Sequence, residues 1–245
     1  LRAHGGGPIA GPWRVEVLVP THRMVFALTR GEVVELRAPS AAGTFAAYRR
    51  LPGAVHGMIA WPNTVLLTGP EPVVVDPGYQ TQGDMLAGAL AARGLAPEDV
   101  RTVLATHLHP DHVSALPQLA DVDLLVHEDE LETPHARTGR GFRDRATLRP
   151  LSGREGEALP GVRFIHTPGH TPGHVALLVE AEEGLVAIAG DTLGPDPAWF
   201  AAMDLPDSFP ERDAHLAAFR AIREARPARV IPGHNPPFAL ADGGR

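Results

Sequence analysis

Val100–Ala105 runs directly into Thr106-His107-Leu108-His109-Pro110-Asp111-His112, and this stretch decides how the rest of the chain is read. The apolar run reads as a buried strand. At its end stand three imidazoles and a carboxylate within six consecutive positions. Strand ends that feed irregular loops are where a rigid sheet holds side chains in fixed geometry. Alternation in His-x-His sets His107 and His109 on one side, while Asp111 and His112 turn toward a neighbouring position. Three further groups follow other expected strands: His170 after Val162–His166, Asp191 after Leu185–Ala189, and His234 after Arg229–Ile231. Neutral imidazole and carboxylate suit zinc, iron, manganese or nickel. Seven ligands are too many for one tetrahedral ion and fit two ions that share a carboxylate.

Around these groups the chain alternates between strand-rich and helical segments. The first half carries short β-type runs at Val15–Val19, Met24–Leu28, Val33–Leu36, Val65–Thr68 and Val73–Val75, separated by Gly and Pro. Asp84–Arg93 is apolar at helical spacing and Gly94 ends it. A helix is expected from Val113, then a buried strand at Leu124–His127. Residues 131–150 carry five Arg and no sustained apolar period, which predicts a long loop placed to act as a lid. Val175–Glu180 is a further strand, and residues 194–210 read as a Pro-rich loop. Glu211–Arg226 reads as an amphipathic helix with Leu216, Ala218, Phe219 and Ile222 on its buried face. The order is β-rich, βα, β-rich, αβ. No linker divides it, so residues 13–245 are expected to form one domain, preceded by a flexible tail over 1–12 (LRAHGGGPIAGP).

Composition removes several chemistries. The 245 residues contain no Cys, which excludes disulfides, thiolate nucleophiles and iron–sulfur clusters. All 22 basic residues are Arg, so Schiff-base catalysis and a Walker-type Lys are excluded as well. A net charge of −7 argues against nucleic-acid partners. No apolar run reaches the length of a membrane span, and the chain is expected to be cytoplasmic.

THLHPDH, TPGHTPGH, AGDT and PGH, in this order, resemble the metallo-β-lactamase superfamily of dinuclear metallohydrolases, over about Trp61 to Phe238. VVVDPG, with Asp76, is similar to that family's early strand-end Asp. The resemblance implies an α/β fold of four layers, the αβ/βα sandwich: two mixed β-sheets flanked by helices, with the metals at one edge. It implies His107, His109 and His170 on one metal, Asp111, His112 and His234 on the other, and Asp191 bridging. It further implies two divalent ions, zinc first with iron or manganese as alternatives. A hydroxide shared by the metals would attack a small-molecule ester, thioester or lactone, with Asp111 as the catalytic group that handles the proton. Asp76 and His174 are expected behind the ligands, Asp76 orienting a metal-bound imidazole or capping a turn, His174 doing the same or starting a strand. His56, His127 and His166 read as structural.

Departures from individual branches narrow the choice. The absence of Cys and the presence of Asp191 disfavour true β-lactamases. Glyoxalase II is similar at every ligand but adds a helical domain beyond the eleven residues that follow His234. Ligand spacings of 58, 21 and 43 residues after His112 are similar to acyl-homoserine lactonases, although DTLGPDPAWF lacks the Tyr those enzymes place after the bridging Asp. Two alternatives stay open: an oxidoreductase resembling the mononuclear iron persulfide dioxygenases, and a phosphodiesterase or nuclease of the same fold. Arg137, Arg140, Arg143, Arg145 and Arg149 form either an anion clamp or a solvated loop. Trp199, Phe200 and Met203 either wall a substrate pocket or plug the Glu211–Arg226 helix.

Overall fold

A computed structural model describes residues 12–29, 32–36, 55–138, 145–194 and 196–240. The expected tail therefore lies, apart from Pro12, outside the described residues, as do Arg140, Arg143 and the side chains of His56 and Arg137. In chain order the strands of the first half are β1 Arg14–Val19, β2 His22–Thr29, β3 Glu32–Leu36, β4 Val55–Trp61, β5 Thr64–Thr68 and β6 Val73–Val75. Helix α1 (Gly83–Ala91), β7 (Thr102–Leu104), the short α2 (Pro110–Val113) and β8 (Val122–His127) follow, then α3 (Pro134–Thr138) and β9 (Ala146–Leu151). The second half holds β10 Glu155–Leu159, β11 Val162–His166, β12 Val175–Ala181 and β13 Gly184–Gly190. It closes with α4 Pro197–Ala202, α5 Arg212–Glu224, β14 Arg229–Pro232 and β15 Phe238–Ala239.

Two six-stranded mixed sheets result, in the orders β1-β5-β6-β7-β8-β9 and β10-β11-β12-β13-β14-β15, beside a small sheet β3-β2-β4. Side-chain alternation sorts the apolar residues of the central strands into separate cores. Leu66, Val74, Val103 and Leu124 face outward onto Leu86 and Leu90 of α1. Their neighbours Val65, Leu67, Val75, Leu104 and Leu125 face inward and meet Phe164, Leu177, Val186, Ile188 and Ile231 of the second sheet. On that sheet's outer face, Leu178, Ala187, Ala189 and Val230 pack on Phe200, Leu216, Phe219 and Ile222. Strands covered on both faces read as continuous apolar runs, which is why they were visible in the sequence. The layers are helix, sheet, sheet, helix.

Direction along the strands places the site. β6, β7, β8 and β9 run parallel. In the second sheet β13 and β14 are parallel, and β11 runs the same way because β12 is antiparallel to both its neighbours. The turns after β6, β7, β11, β13 and β14 carry Asp76, the 107–112 motif, His170, Asp191 and His234.

The structure corrects four expectations. The helix expected from Val113 is absent: a four-residue helix, Pro110–Val113, ends there, with Pro110 at its first position, where the fixed φ suits it, and only a 3-10 turn at Leu116–Gln118 follows. The 131–150 segment is not one loop: it contains α3 and the edge strand β9, whose Pro150 needs no outer partner. The 194–210 segment contains α4, capped by Asp196, whose carboxylate accepts from the Ala198 N–H at 2.9 Å. Strands β4, β10 and β15 had no clear signal; β10 is Glu-Gly-Glu-Ala-Leu, a polar edge held by its pairing with β11. Among the described residues no helix is long and apolar enough to cross a membrane.

Candidate metal centre

The backbone around the motif is pinned before any side chain is considered. β7 ends at Leu104, and the Val175 N–H donates to the Thr106 carbonyl at 2.9 Å, joining the two sheets at this edge. Gly190, the last residue of β13, has φ +50 and lies against His174 and Thr106, where a Cβ would sit 2.7 Å from His174 Nε2 and Thr106 Oγ1. Only glycine satisfies both the left-handed backbone and that close approach. Asp191 is therefore delivered straight into the cluster.

Seven side chains converge there. His107, His109 and His170 form one triad, and Asp111, His112 and His234 another; in each, the ligand-type atoms lie within 4.8 Å of one another. The rings of His107, His109 and His170 meet edge to face, with centroids 4.6–4.8 Å apart. His170 Nε2 approaches His109 Nδ1 to 2.9 Å. Asp111 Oδ2 lies 3.1 Å from His234 Nε2. Asp191 stands between the triads, with Oδ1 3.3 Å from His112 Nε2 and Oδ2 3.3 Å from His170 Nε2 and 3.4 Å from His234 Nε2.

Buried polar atoms of this cluster, His107 Nε2, His112 Nε2 and Asp191 Oδ1 among them, make no well-formed hydrogen bond, the last two only facing each other at 3.3 Å. Leaving such atoms unsatisfied costs about 1–3 kcal/mol each, so their convergence needs a partner. An imidazole and carboxylate donor set with lone pairs aimed at common points fits divalent metal ions.

Electrostatics divides the cluster. Burial pushes His107 well below its ordinary value, and burial with His135 lowers His109. Burial drives His170 down to about 4 against the pull of Asp191. This triad is thus neutral at pH 7, the form that ligates. In the other half burial is outweighed: Asp191 and Asp76 hold His112 well above its ordinary value, and Asp191 and Asp111 raise His234 to about 9. Asp191 itself lies well below the usual carboxylate range, because His112 and His234 overcome its burial.

Behind the cluster, Asp76 is 2% exposed and adopts φ +48. Its Oδ1 accepts from the Thr106 N–H at 2.8 Å; its Oδ2 accepts from Thr106 Oγ1 at 2.7 Å and lies 2.8 Å from His112 Nδ1. Thr106 Oγ1 also lies 3.1 Å from His107 Nδ1. Nothing in the motif spacing singles out Thr106. His174 makes no hydrogen bond to a ligand imidazole, although its ring packs 5.1 Å from that of His107: the Asp191 N–H donates to its Nε2 at 3.1 Å, and the hydroxyls of Thr167 and Thr192 hold its Nδ1.

A cavity of about 460 Å³ opens over Asp111, His170, Asp191 and His234, with Tyr79, Phe209 and His215 in its walls. Neither Tyr79 nor His215 stood out in the sequence, because the contact with the motif is made across the fold. Trp199 packs on Phe209 and Phe200 on Phe219, so this segment plugs the α5 layer. Arg149 pairs with Asp123 at 3.2 Å on the first sheet, away from the cavity lining. A fourth group, His127, Asp129 and His166, also brings ligand-type atoms together. The two rings stack at 4.1 Å and 8°, so no point lies in both ring planes, and their Nε2 atoms are bound to the Gly153 and Pro172 carbonyls. These histidines are structural.

Comparison with known proteins agrees with this architecture. Residues 62–234 match the family model described as the metallo-beta-lactamase superfamily. Metallo-beta-lactamase domain-containing protein 1 of Xenopus laevis is 30% identical over 187 residues, 75% of this chain and 74% of that protein. An N-acyl homoserine lactonase of a Bacillus species is 35% identical over 107 residues, which is 42% of each chain. A candidate metallo-beta-lactamase from Thermotoga maritima superposes with a TM-score of 0.67 at 18% identity, covering 94% of this chain and all of the other. An N-acyl homoserine lactone hydrolase, solved with N-hexanoyl-L-homoserine at its catalytic metal centre, gives 0.62 at 19% identity, over 92% and 93%. The chain belongs to the metallo-beta-lactamase superfamily, with its αβ/βα sandwich. Within it, the chain carries His and Asp groups that could hold metal, and its relatives include N-acyl homoserine lactonases.

Proposed function

We propose that the chain is a two-metal hydrolase, with zinc as the resident ion, acting on a small-molecule ester, thioester or lactone. One observation carries this reading: the Asp191 carboxylate reaches the ligand atoms of both triads, Oδ1 toward His112 and Oδ2 toward His170 and His234. His107, His109 and His170 would hold one ion, Asp111, His112 and His234 the other, and Asp191 both. Bound there, such ions supply Lewis acidity toward an acyl oxygen and bring water ionisation near neutral pH.

The chain's own groups do the rest. Asp111 is 26% exposed and lines the cavity. Burial would raise its pKa, but the His234 contact and the charge of His112 hold it below the ordinary carboxylate range. It is therefore ionised at neutral pH and stands where it can take a proton from water and return it to the leaving group. Asp76 and Thr106 hold the rings of His112 and His107 from behind. The volume of the cavity and its apolar walls at Tyr79 and Phe209 suit a small molecule with one electrophilic centre. The resemblance to N-acyl homoserine lactonases supports the ester–lactone class.

Metal analysis of protein purified without added metal, followed by assays on thioesters, lactones and phosphodiesters, tests the reading. Close to two zinc ions per chain with turnover of an acyl substrate is the expected result. Failure to rebind metal at micromolar zinc overturns it, as does one iron per chain with oxygen uptake on a persulfide. With both metals restored at saturating zinc, Asp111→Asn is expected to lose at least about 100-fold in kcat; full turnover with both metals present would remove Asp111 from its role.

A further inference from the structure

Glu130 is 1% exposed, lies in the 3-10 turn Glu128–Glu132 after β8, and was not singled out by any motif. Its two oxygens are divided between two ligand-bearing loops. Oε2 accepts from the Leu108 N–H at 2.9 Å, and Oε1 accepts from the Gly173 N–H at 3.0 Å. Leu108 sits between His107 and His109; Gly173 sits between His170 and His174. The loop of Gly173 lies directly on the turn, since a Cβ there would meet the Glu130 backbone nitrogen. Behind the turn, the Glu130 carbonyl accepts from the Thr133 N–H at 3.1 Å and from its hydroxyl at 2.7 Å, which fixes the turn to the start of α3.

The loops after β7 and β11 belong to different sheets, yet one buried carboxylate is bonded to both. Charge-assisted bonds of this kind are stronger and more directional than neutral ones. All three imidazoles of one triad hang on the two bonded segments; of the other triad, Asp111 and His112 follow Leu108 on the same loop but are held separately, in the helix Pro110–Val113 and, for His112, by Asp76, while His234 lies on neither loop. We infer that Glu130 is a positioning residue for His107, His109 and His170, holding their two loops at the separation that makes the triad converge. The inference rests on the two-metal reading for its metal readout only.

The test compares wild type, Glu130→Gln and Ile222→Ala, the last being a core change in α5 that loosens the packing on the second sheet in a cluster containing neither loop. An amide keeps one acceptor and turns its NH2 group toward the second backbone N–H. In the metal-free Glu130→Gln chain, amide exchange at Leu108 or Gly173 is expected to quicken about ten-fold relative to wild type. In the zinc-loaded chain, chelator-driven release of one equivalent is expected to quicken about ten-fold, with the other unchanged. That phase is the one His170→Ala abolishes. Unchanged exchange at both amides overturns the inference. So does equal acceleration of both metals, as Ile222→Ala produces by general loosening. If Glu130→Gln does not fold, Glu130→Asp withdraws the oxygens by one methylene and is read by the same two measurements. A wild type that binds no zinc defeats the two-metal reading, while the exchange result still decides the role of Glu130.

Discussion

Replacing Asp76 by Asn separates the charge behind the cluster from the backbone that carries it. Asp76 holds φ +48, a conformation that Asn tolerates as well as Asp does, so the substitution adds no strain. The Asn carbonyl can still accept from the Thr106 N–H, as Oδ1 does now at 2.8 Å. Its NH2 group then occupies the place of Oδ2 and faces Thr106 Oγ1 and His112 Nδ1. Thr106 can rotate its hydroxyl to accept. His112 has only one response: Nδ1 must give up its proton to become the acceptor, which leaves the remaining ring proton on Nε2, the atom 3.3 Å from Asp191 Oδ1 that would bind metal. Loss of the buried charge-assisted bond costs about 1–3 kcal/mol. The wrong tautomer costs a further about 10–100-fold in metal affinity, the usual range for groups behind a ligand. Thermal melts of the metal-free chain give the first number and zinc competition with a chelator gives the second. If Asp76→Asn binds both equivalents as tightly as wild type, the reasoning about His112 is wrong.

The pH dependence should have opposite signs in the two forms of the protein. His234 is raised to about 9 in the metal-free chain, against about 6.5 unfolded. Its contribution to stability is complete below about 6.5 and is lost as pH rises through about 9. A metal needs the neutral ring, so the melting shift conferred by zinc should grow over the same interval while the metal-free Tm falls; parallel trends would refute this. Gly190→Ala removes no ligand, yet its Cβ would meet His174 and Thr106. It is expected to abolish binding of at least one metal equivalent in a folded protein, measured by metal content and circular dichroism. Normal metal content would show that the close approach at Gly190 is dispensable.

The sandwich was legible because its central strands are buried on both faces. Val73–Val75, Val175–Glu180 and Leu185–Ala189 are apolar at nearly every position, and only the position of each side chain in the alternation decides which core it enters. The edges were not legible. β10 pairs with β11 through backbone while presenting Glu155 and Glu157, and α3 and β9 lie in a segment with no apolar period of its own. The ligand-type residues were legible because metal chemistry restricts them to a few side chains at close spacing. Thr106, Glu130, His174 in its contact with the Asp191 amide, and the cavity residues Tyr79 and His215 owe their places to partners 17 or more residues away. A residue type that is common everywhere carries no signal until the fold supplies its neighbour.

Strand direction explains why such distant residues meet. β6, β7 and β8 point one way in the first sheet, and β11, β13 and β14 end at the matching edge of the second. Every group of the cluster, with Asp76 and Glu130 behind it, lies in the turn after one of these six strands. The sheets set the spacing between turns, so each side chain needs only a short excursion from a rigid end. The excursions that remain are fixed by carboxylates: Asp76 ties the turn after β6 to that after β7, and Glu130 ties the turn after β8 to those after β7 and β11. Loops elsewhere on the chain can change without disturbing this edge, which is how one fold keeps its centre while different walls select different substrates.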